Sequence, residues 1–148
     1  PWPRGNCSPA PARAVFDADI PMTLVPLDCT HQALSTSARI ERFRALKNRP
    51  GPAIAAMLSF SERFDEQKYG TDGGPLHDPC VMAWLLKPEL FQSREVNVEI
   101  ECESELTVGM TVVDWWRVTS RKPNATVCRS INAEGFFDLL IERISRLA

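Results

Sequence analysis

Ile20-Pro21-Met22-Thr23-Leu24-Val25-Pro26-Leu27 is a short apolar run bounded by Asp19 and Asp28. Its length and β-branched content argue a buried strand, and Pro21 and Pro26, which cannot donate to a ladder, confine the pairing at each end. Asp28-Cys29-Thr30-His31 follows directly. In open α/β sheets ligands gather beyond the carboxyl ends of strands, so this tetrapeptide is a candidate site. The plainer reading is that Asp28 or Thr30 caps the next helix while His31 bonds a backbone group.

Outward from that strand the pattern alternates between helix and strand signals. Residues 1–12 are rich in Pro, Ala and Gly and predict an irregular start, with one or two helical turns over Ala12–Ala18. Downstream, Ile40, Phe43 and Leu46 recur at three-residue spacing, and Asn48-Arg49-Pro50-Gly51-Pro52 predicts a break. Ile54, Met57, Leu58, Ser61 and Phe64 mark a second amphipathic helix that runs to about Lys68. The basic residues from Arg39 to Arg49, interrupted by Glu41, predict a solvated helix face. A glycine-rich loop, Tyr69-Gly70-Thr71-Asp72-Gly73-Gly74-Pro75, leads to Leu76-His77-Asp78-Pro79 and then to an apolar helix over Cys80–Leu86. Val96–Glu101 alternates with period two, and Gly109–Trp115 is its partner candidate in a hairpin. Ala125–Ile131 predicts a further strand, and Ala133–Leu147 a closing amphipathic helix. The sum is an α/β fold.

Composition narrows the function classes. The chain has 148 residues, enough for one core, with 44% apolar and 24% charged residues, both in the ordinary globular range. A net charge of -2 argues against a nucleic-acid partner, which selects for a basic surface. No apolar run reaches the roughly 18–20 residues of a membrane span. Five widely spaced cysteines without a C-x-x-C pair fit neither a zinc site nor a disulfide framework, which predicts reduced thiols and a cytoplasmic location.

The two histidines are His31 and His77. The loop before His77 is glycine-rich, and glycine lets backbone approach a ligand closely. An Asp at a helix start offers oxygens to a hard cation such as Ca²⁺, and a neighbouring imidazole donates a proton near neutral pH. Asp78-Pro79 also makes sense as helix punctuation alone, an N-cap followed by a first-turn proline. The two roles are compatible. Tyr69, the one tyrosine, has the plainer reading of packing under the loop.

Three separated motifs resemble the inosine-uridine preferring nucleoside hydrolase family. Asp19-Ile20-Pro21-Met22-Thr23-Leu24-Val25-Pro26-Leu27-Asp28-Cys29-Thr30-His31-Gln32 is similar to its IP-x-T-x-VPLDVTHQ segment. Gly73-Gly74-Pro75-Leu76-His77-Asp78-Pro79-Cys80 looks like its G-x-PLHDP-x motif, and Leu106–Asp114 like its LT-RGMTVVD strand. The likeness runs from about Asp17 through the Phe136-Phe137-Asp138-Leu139-Leu140 helix, in the family's order.

The resemblance implies the C-terminal portion of a Rossmann-type open sheet with flanking helices and a small hairpin. It makes residues 1–148 a single partial domain, with 1–12 irregular, 13–94 carrying the HDP motif and 95–148 the short strands and closing helix. It also implies hydrolysis of the N-glycosidic bond of ribonucleosides, with Ca²⁺ holding the ribose hydroxyls and the attacking water. By matching positions, Asp78 is a metal ligand, His77 is the catalytic group near the leaving base, Tyr69 borders the base and Asn6 contacts the ribose. Two departures stand beside this. The family's N-terminal D-x-D-x-G-x-DD segment has no counterpart. The GN-x-[ST]-PAAEFN-x-x-x-DPEAA pattern starts at Gly5-Asn6-Cys7-Ser8-Pro9-Ala10 but passes through Pro11 straight to Ala12-Arg13-Ala14-Val15-Phe16, without its Glu and second Asn. The expectation is therefore a C-terminal segment that is inactive alone. The alternative is a degenerate, non-catalytic paralogue serving as a binding module. An uncovered strand and apolar faces predict a homo-oligomer.

Overall fold

The computed structural model describes residues 8–69 and 73–148, and for 62–69 the course of the backbone only. In chain order the elements are α1 (Ala10–Phe16), β1 (Thr23–Leu24), α2 (Leu27–Thr30), β2 (Leu34–Ser35), α3 (Ser37–Arg44), α4 (Pro50–Tyr69), β3 (Gly74–Pro75) and α5 (Asp78–Leu86). A 3₁₀ turn at Pro88–Leu90 leads into β4 (Phe91–Val96), β5 (Val98–Ile100), β6 (Thr111–Val113), β7 (Ala125–Ile131) and α6 (Ala133–Ser145). This is the α/β class expected, with an open three-stranded sheet in the order β1-β7-β4 and two small two-stranded sheets.

The chain forms two compact units, one from the residues up to Leu24 with Ser93–Val127, the other from Val25–Gln92 with Cys128–Ala148. In the first, β1 runs parallel to β7, with Thr23 opposite Thr126 and Leu24 opposite Val127. The opening apolar run is a far shorter strand than its composition predicts. Ile20 and Leu27 are more than half exposed. Pro21 and Pro26 have no N–H to give, and the chain after Pro26 turns into α2, so pairing is left to Thr23 and Leu24. The hairpin forms as the alternation predicts, with Val98, Glu99 and Ile100 opposite Val113, Val112 and Thr111. Val96, Val98, Ala125 and Val127 are the centre of this unit's core. Asn124 ties it together: its Oδ1 accepts the Val98 N–H at 2.8 Å and its Nδ2 donates to the Val98 carbonyl at 2.9 Å.

The second unit is the helical one. Its core joins Ile40 and Phe43 of α3 to Ala55 of α4, Cys80 and Ala83 of α5, and Phe136, Phe137 and Leu139 of α6. The Pro50-Gly51-Pro52 sequence opens α4 instead of merely ending its predecessor. Prolines are tolerated in a first turn, where the N–H groups have no intrahelical partner anyway. Asn48 supports that start, accepting the Gly51 N–H at 3.1 Å, and its Nδ2 donates to the Ile144 and Leu147 carbonyls near the end of α6. At the other end of α6, Asn132 is the N-cap, its Oδ1 accepting the Gly135 N–H at 3.1 Å. The basic face of α3 is not simply solvated: Arg39 pairs with Glu134, Arg42 with Glu134 and Asp138, and the Arg39 guanidinium lies 4.6 Å from the centre of the Phe137 ring.

Cys29, Cys80 and Cys128 are fully buried free thiols of this core. Burial pushes Cys29 up to about 11 and Cys80 and Cys128 up to about 12, because a thiolate there has no water to solvate it. Alkylation by iodoacetamide at pH 8 therefore leaves these three unmodified in the folded protein and labels them after denaturation. Peptide mass mapping reads the difference.

Candidate active site

The site is built by two segments, 26–36 and 73–78, fastened to each other. Pro26 fixes the backbone ahead of α2, a single turn whose Cys29 and Thr30 are buried while Asp28 stays exposed. After it, β2 pairs antiparallel with β3, Leu34 opposite Pro75 and Ser35 opposite Gly74. The Leu76 N–H donates to the Ala33 carbonyl at 3.0 Å, and the Ser35 hydroxyl to the Gly74 carbonyl at 2.7 Å.

Gly73 makes the close approach possible. It has φ +99°, and a Cβ on it would stand 2.6 Å from the Ser35 carbonyl oxygen. Gly73→Ala is expected to destabilise the fold by about 1–3 kcal/mol through the left-handed backbone and that clash. Urea denaturation measures it.

This fastening brings His31 and His77 together. Their ring centres are 5.4 Å apart, tilted by 47°. Thr30 Oγ1 lies 2.7 Å from His77 Nδ1. Beside the rings is a cavity of about 260 Å³, lined by His31, Ser35, Leu58, Ser61, Pro75 and His77 among others. That is a little below the ~300–1,000 Å³ of typical small-molecule pockets, the size for one ring system rather than a whole large ligand. Apolar Leu58 and Pro75 with two imidazoles and two hydroxyls suit a flat, polar-edged ring.

His77 occupies the N-cap position of α5 and Asp78 is its first helical residue, followed by Pro79. The expectation that Asp78 is the N-cap is thus corrected by one position. The His77 backbone carbonyl, not the Asp78 one, accepts the Cys80 N–H, at 3.1 Å, and no side chain caps the helix. The Asp78 carboxylate is exposed at the positive end of the helix, without a hydrogen bond or ion pair among the described residues. It is available for a cation. Calcium takes roughly six to eight oxygens, and among the described residues no group of three or more His, Cys, Asp or Glu could hold a metal ion. The described residues therefore do not fit a calcium ion by themselves.

Asn6 lies outside the described residues, as does the side chain of Tyr69. The sequence marks Thr30 and His31 as candidates through their place after the strand, with cap and backbone partner as the plainer reading, and gives no sign of Ser35 and Ser61 as site residues. The signal for His31 was its place after the strand, but nothing local says that it faces a residue 46 positions on. Asp114, within the third motif, is a structural carboxylate: it accepts the Val118 and Thr119 N–H groups and the Thr119 hydroxyl, and the Thr119 hydroxyl above all holds it below its usual value.

The model of the inosine-uridine preferring nucleoside hydrolases matches residues 6–138. The chain belongs to that family. Among its relatives, an uncharacterized protein of Schizosaccharomyces pombe is 48% identical over 94% of the chain and 45% of its own length. A pyrimidine-specific ribonucleoside hydrolase of Salmonella gallinarum is 46% identical over 95% of the chain, again 45% of its own length. The solved purine-preferring ribonucleoside hydrolase from Gardnerella vaginalis superposes with a TM-score of 0.79 at 28% identity, over 93% of the chain and 43% of that protein. The chain thus spans less than half the length of these relatives. No helix among its described residues is long and apolar enough to cross a membrane.

Proposed function

We propose that the chain is the leaving-base half of a ribonucleoside hydrolase active site. The observation that carries this is His77, held through Nδ1 by a buried hydroxyl at the edge of a ring-sized cavity, next to a carboxylate unengaged among the described residues. Cleavage of an N-glycosidic bond breaks C1′–N, leaves electron density on the base nitrogen and forms a C–O bond between C1′ and water. A donor at the base lowers that barrier, and an imidazole is suited to it near neutral pH. In this reading His77 is that donor, Asp78 supplies one oxygen ligand to Ca²⁺, Tyr69 borders the base and Asn6 reaches the ribose. The remaining acidic ligands, and the group that accepts the proton of the water, come from the family's D-x-D-x-G-x-DD segment, outside these residues.

The relatives' names pair this architecture with pyrimidine specificity in one case and purine preference in another. The substrate is accordingly proposed as a class, ribonucleosides. A cytoplasmic location fits the four described cysteines, all free thiols. Assembly as a homo-oligomer fits the exposed Met82, Leu85 and Leu86 along α5.

The test is ribose release from inosine and uridine by the complete natural polypeptide containing this chain, with added calcium and again with chelator. Turnover that chelation abolishes supports the reading. No turnover in either condition favours a non-catalytic binding module, the alternative that the missing ribose-binding Glu and Asn motivate.

A further inference from the structure

We propose that Thr30 is a positioning residue for His77, its hydroxyl donating to Nδ1 so that the neutral ring carries its proton on Nε2. The inference deepens the reading that His77 acts at the leaving base and rests on it. Three observations support it. First, Thr30 is 2% exposed, so no water competes for its hydroxyl. Secondly, the Oγ1···Nδ1 separation is 2.7 Å, the commonest spacing for a hydroxyl donor and the short limit of the N–H···O range. Thirdly, the other acceptor that the described residues offer the hydroxyl is at the limit of reach: the Leu27 carbonyl, 3.5 Å from Oγ1, which also accepts the His31 N–H at 2.9 Å. The hydroxyl proton therefore goes to the ring.

The consequence follows from the inventory of a neutral imidazole, which has one N–H donor and one bare nitrogen. With Nδ1 accepting, the N–H is Nε2–H. A ring locked this way presents a hydrogen-bond donor, not a lone pair, at its Nε2 edge; the imidazolium, protonated also at Nδ1 with the Thr30 hydroxyl then accepting, is the form that passes the Nε2 proton to the base nitrogen. A ring free to exchange tautomers would present a lone pair there part of the time, repelling the developing negative charge. The tilted His31 ring limits rotation about the His77 side chain from one face, while Thr30 fixes the rotation and the proton together. Sequence distance hides the pairing, since the two residues are 47 positions apart.

Ring ¹⁵N spectra of the complete polypeptide, without substrate and at a pH well above the ordinary imidazole value of about 6.5, read the tautomer directly. The expected result is a bare-nitrogen shift at His77 Nδ1 and a protonated shift at Nε2. Thr30→Ser keeps this pattern. Thr30→Val, of nearly the same shape, gives averaged shifts, and its kcat falls about ten-fold or more, within the ~10²–10⁴-fold that a proton donor contributes, with KM little changed. A wild-type ring protonated at Nδ1 overturns the proposal whether or not Thr30→Val folds. So does a Thr30→Val spectrum identical to wild type. Because the spectra need no substrate, failure of hydrolysis with the Nε2–H tautomer present counts against the function and leaves the Thr30 assignment standing.

Discussion

In the complete natural polypeptide, His77→Ala is expected to lower ribonucleoside turnover by about 10²–10⁴-fold, the contribution typical of a positioned proton donor, while changing stability little. The imidazole is exposed, makes no cap bond to α5 and, among the described residues, is hydrogen-bonded to Thr30. Deleting it strands the Thr30 hydroxyl, which then turns to the Leu27 carbonyl 3.5 Å away; losing one such bond costs about 1 kcal/mol. The loss belongs in kcat rather than KM, since a proton donor acts as charge develops on the base. Substrates whose leaving base is already acidic recover part of the rate, because they need the proton least. Steady-state kinetics with a nitrophenyl riboside beside inosine measure that recovery. Equal losses on both substrates contradict the assigned role.

The largest effect on stability is expected at Phe137→Ala, about 3–5 kcal/mol. Phe137 is wholly buried, meets Phe136 edge-on at 5.1 Å between ring centres and Phe43 at 6.3 Å, and lies under the Arg39 guanidinium. Truncation leaves a cavity where α3 and α6 pack and removes the apolar support of the cation. The Arg39–Glu134 and Arg42–Asp138 pairs do not offset the loss, since their partly exposed carboxylates make them surface ion pairs worth about 0–1 kcal/mol each. Phe137→Leu, which keeps most of the volume, loses much less. Urea denaturation followed by far-UV circular dichroism orders the three proteins as wild type, Leu, then Ala.

The sequence makes local structure legible where one period dominates. Phe136, Leu139, Leu140 and Ile144 mark α6 through their helical spacing, and the alternation from Val96 marks β5 and, with Gly109–Trp115, the hairpin. The IPMTLVPL run misleads because composition reports apolarity but not ladder partners: two prolines and the turn into α2 leave a strand of two residues. Pro50 and Gly51 mislead in the other direction, because the same residues that end one helix are suited to the first turn of the next. In the site, His77 and Asp78 stand out through their motif and glycine loop. Thr30, Ser35 and His31 reach them only through the β2–β3 pairing, a long-range contact between two-residue strands too short to show any period.

A calcium titration of the 148-residue chain, monitored by calorimetry on a sample whose circular dichroism shows native helix, tests most directly whether this polypeptide brings one part of a divided centre. Since Asp78 offers one carboxylate and the described residues hold no group of three or more His, Cys, Asp or Glu that could bind a metal, no saturable heat is expected below millimolar ion, whereas the complete natural polypeptide is expected to take up one calcium and to lose it in Asp78→Ala. Tight one-to-one binding by the 148-residue chain alone, removed by the same substitution, would contradict the account.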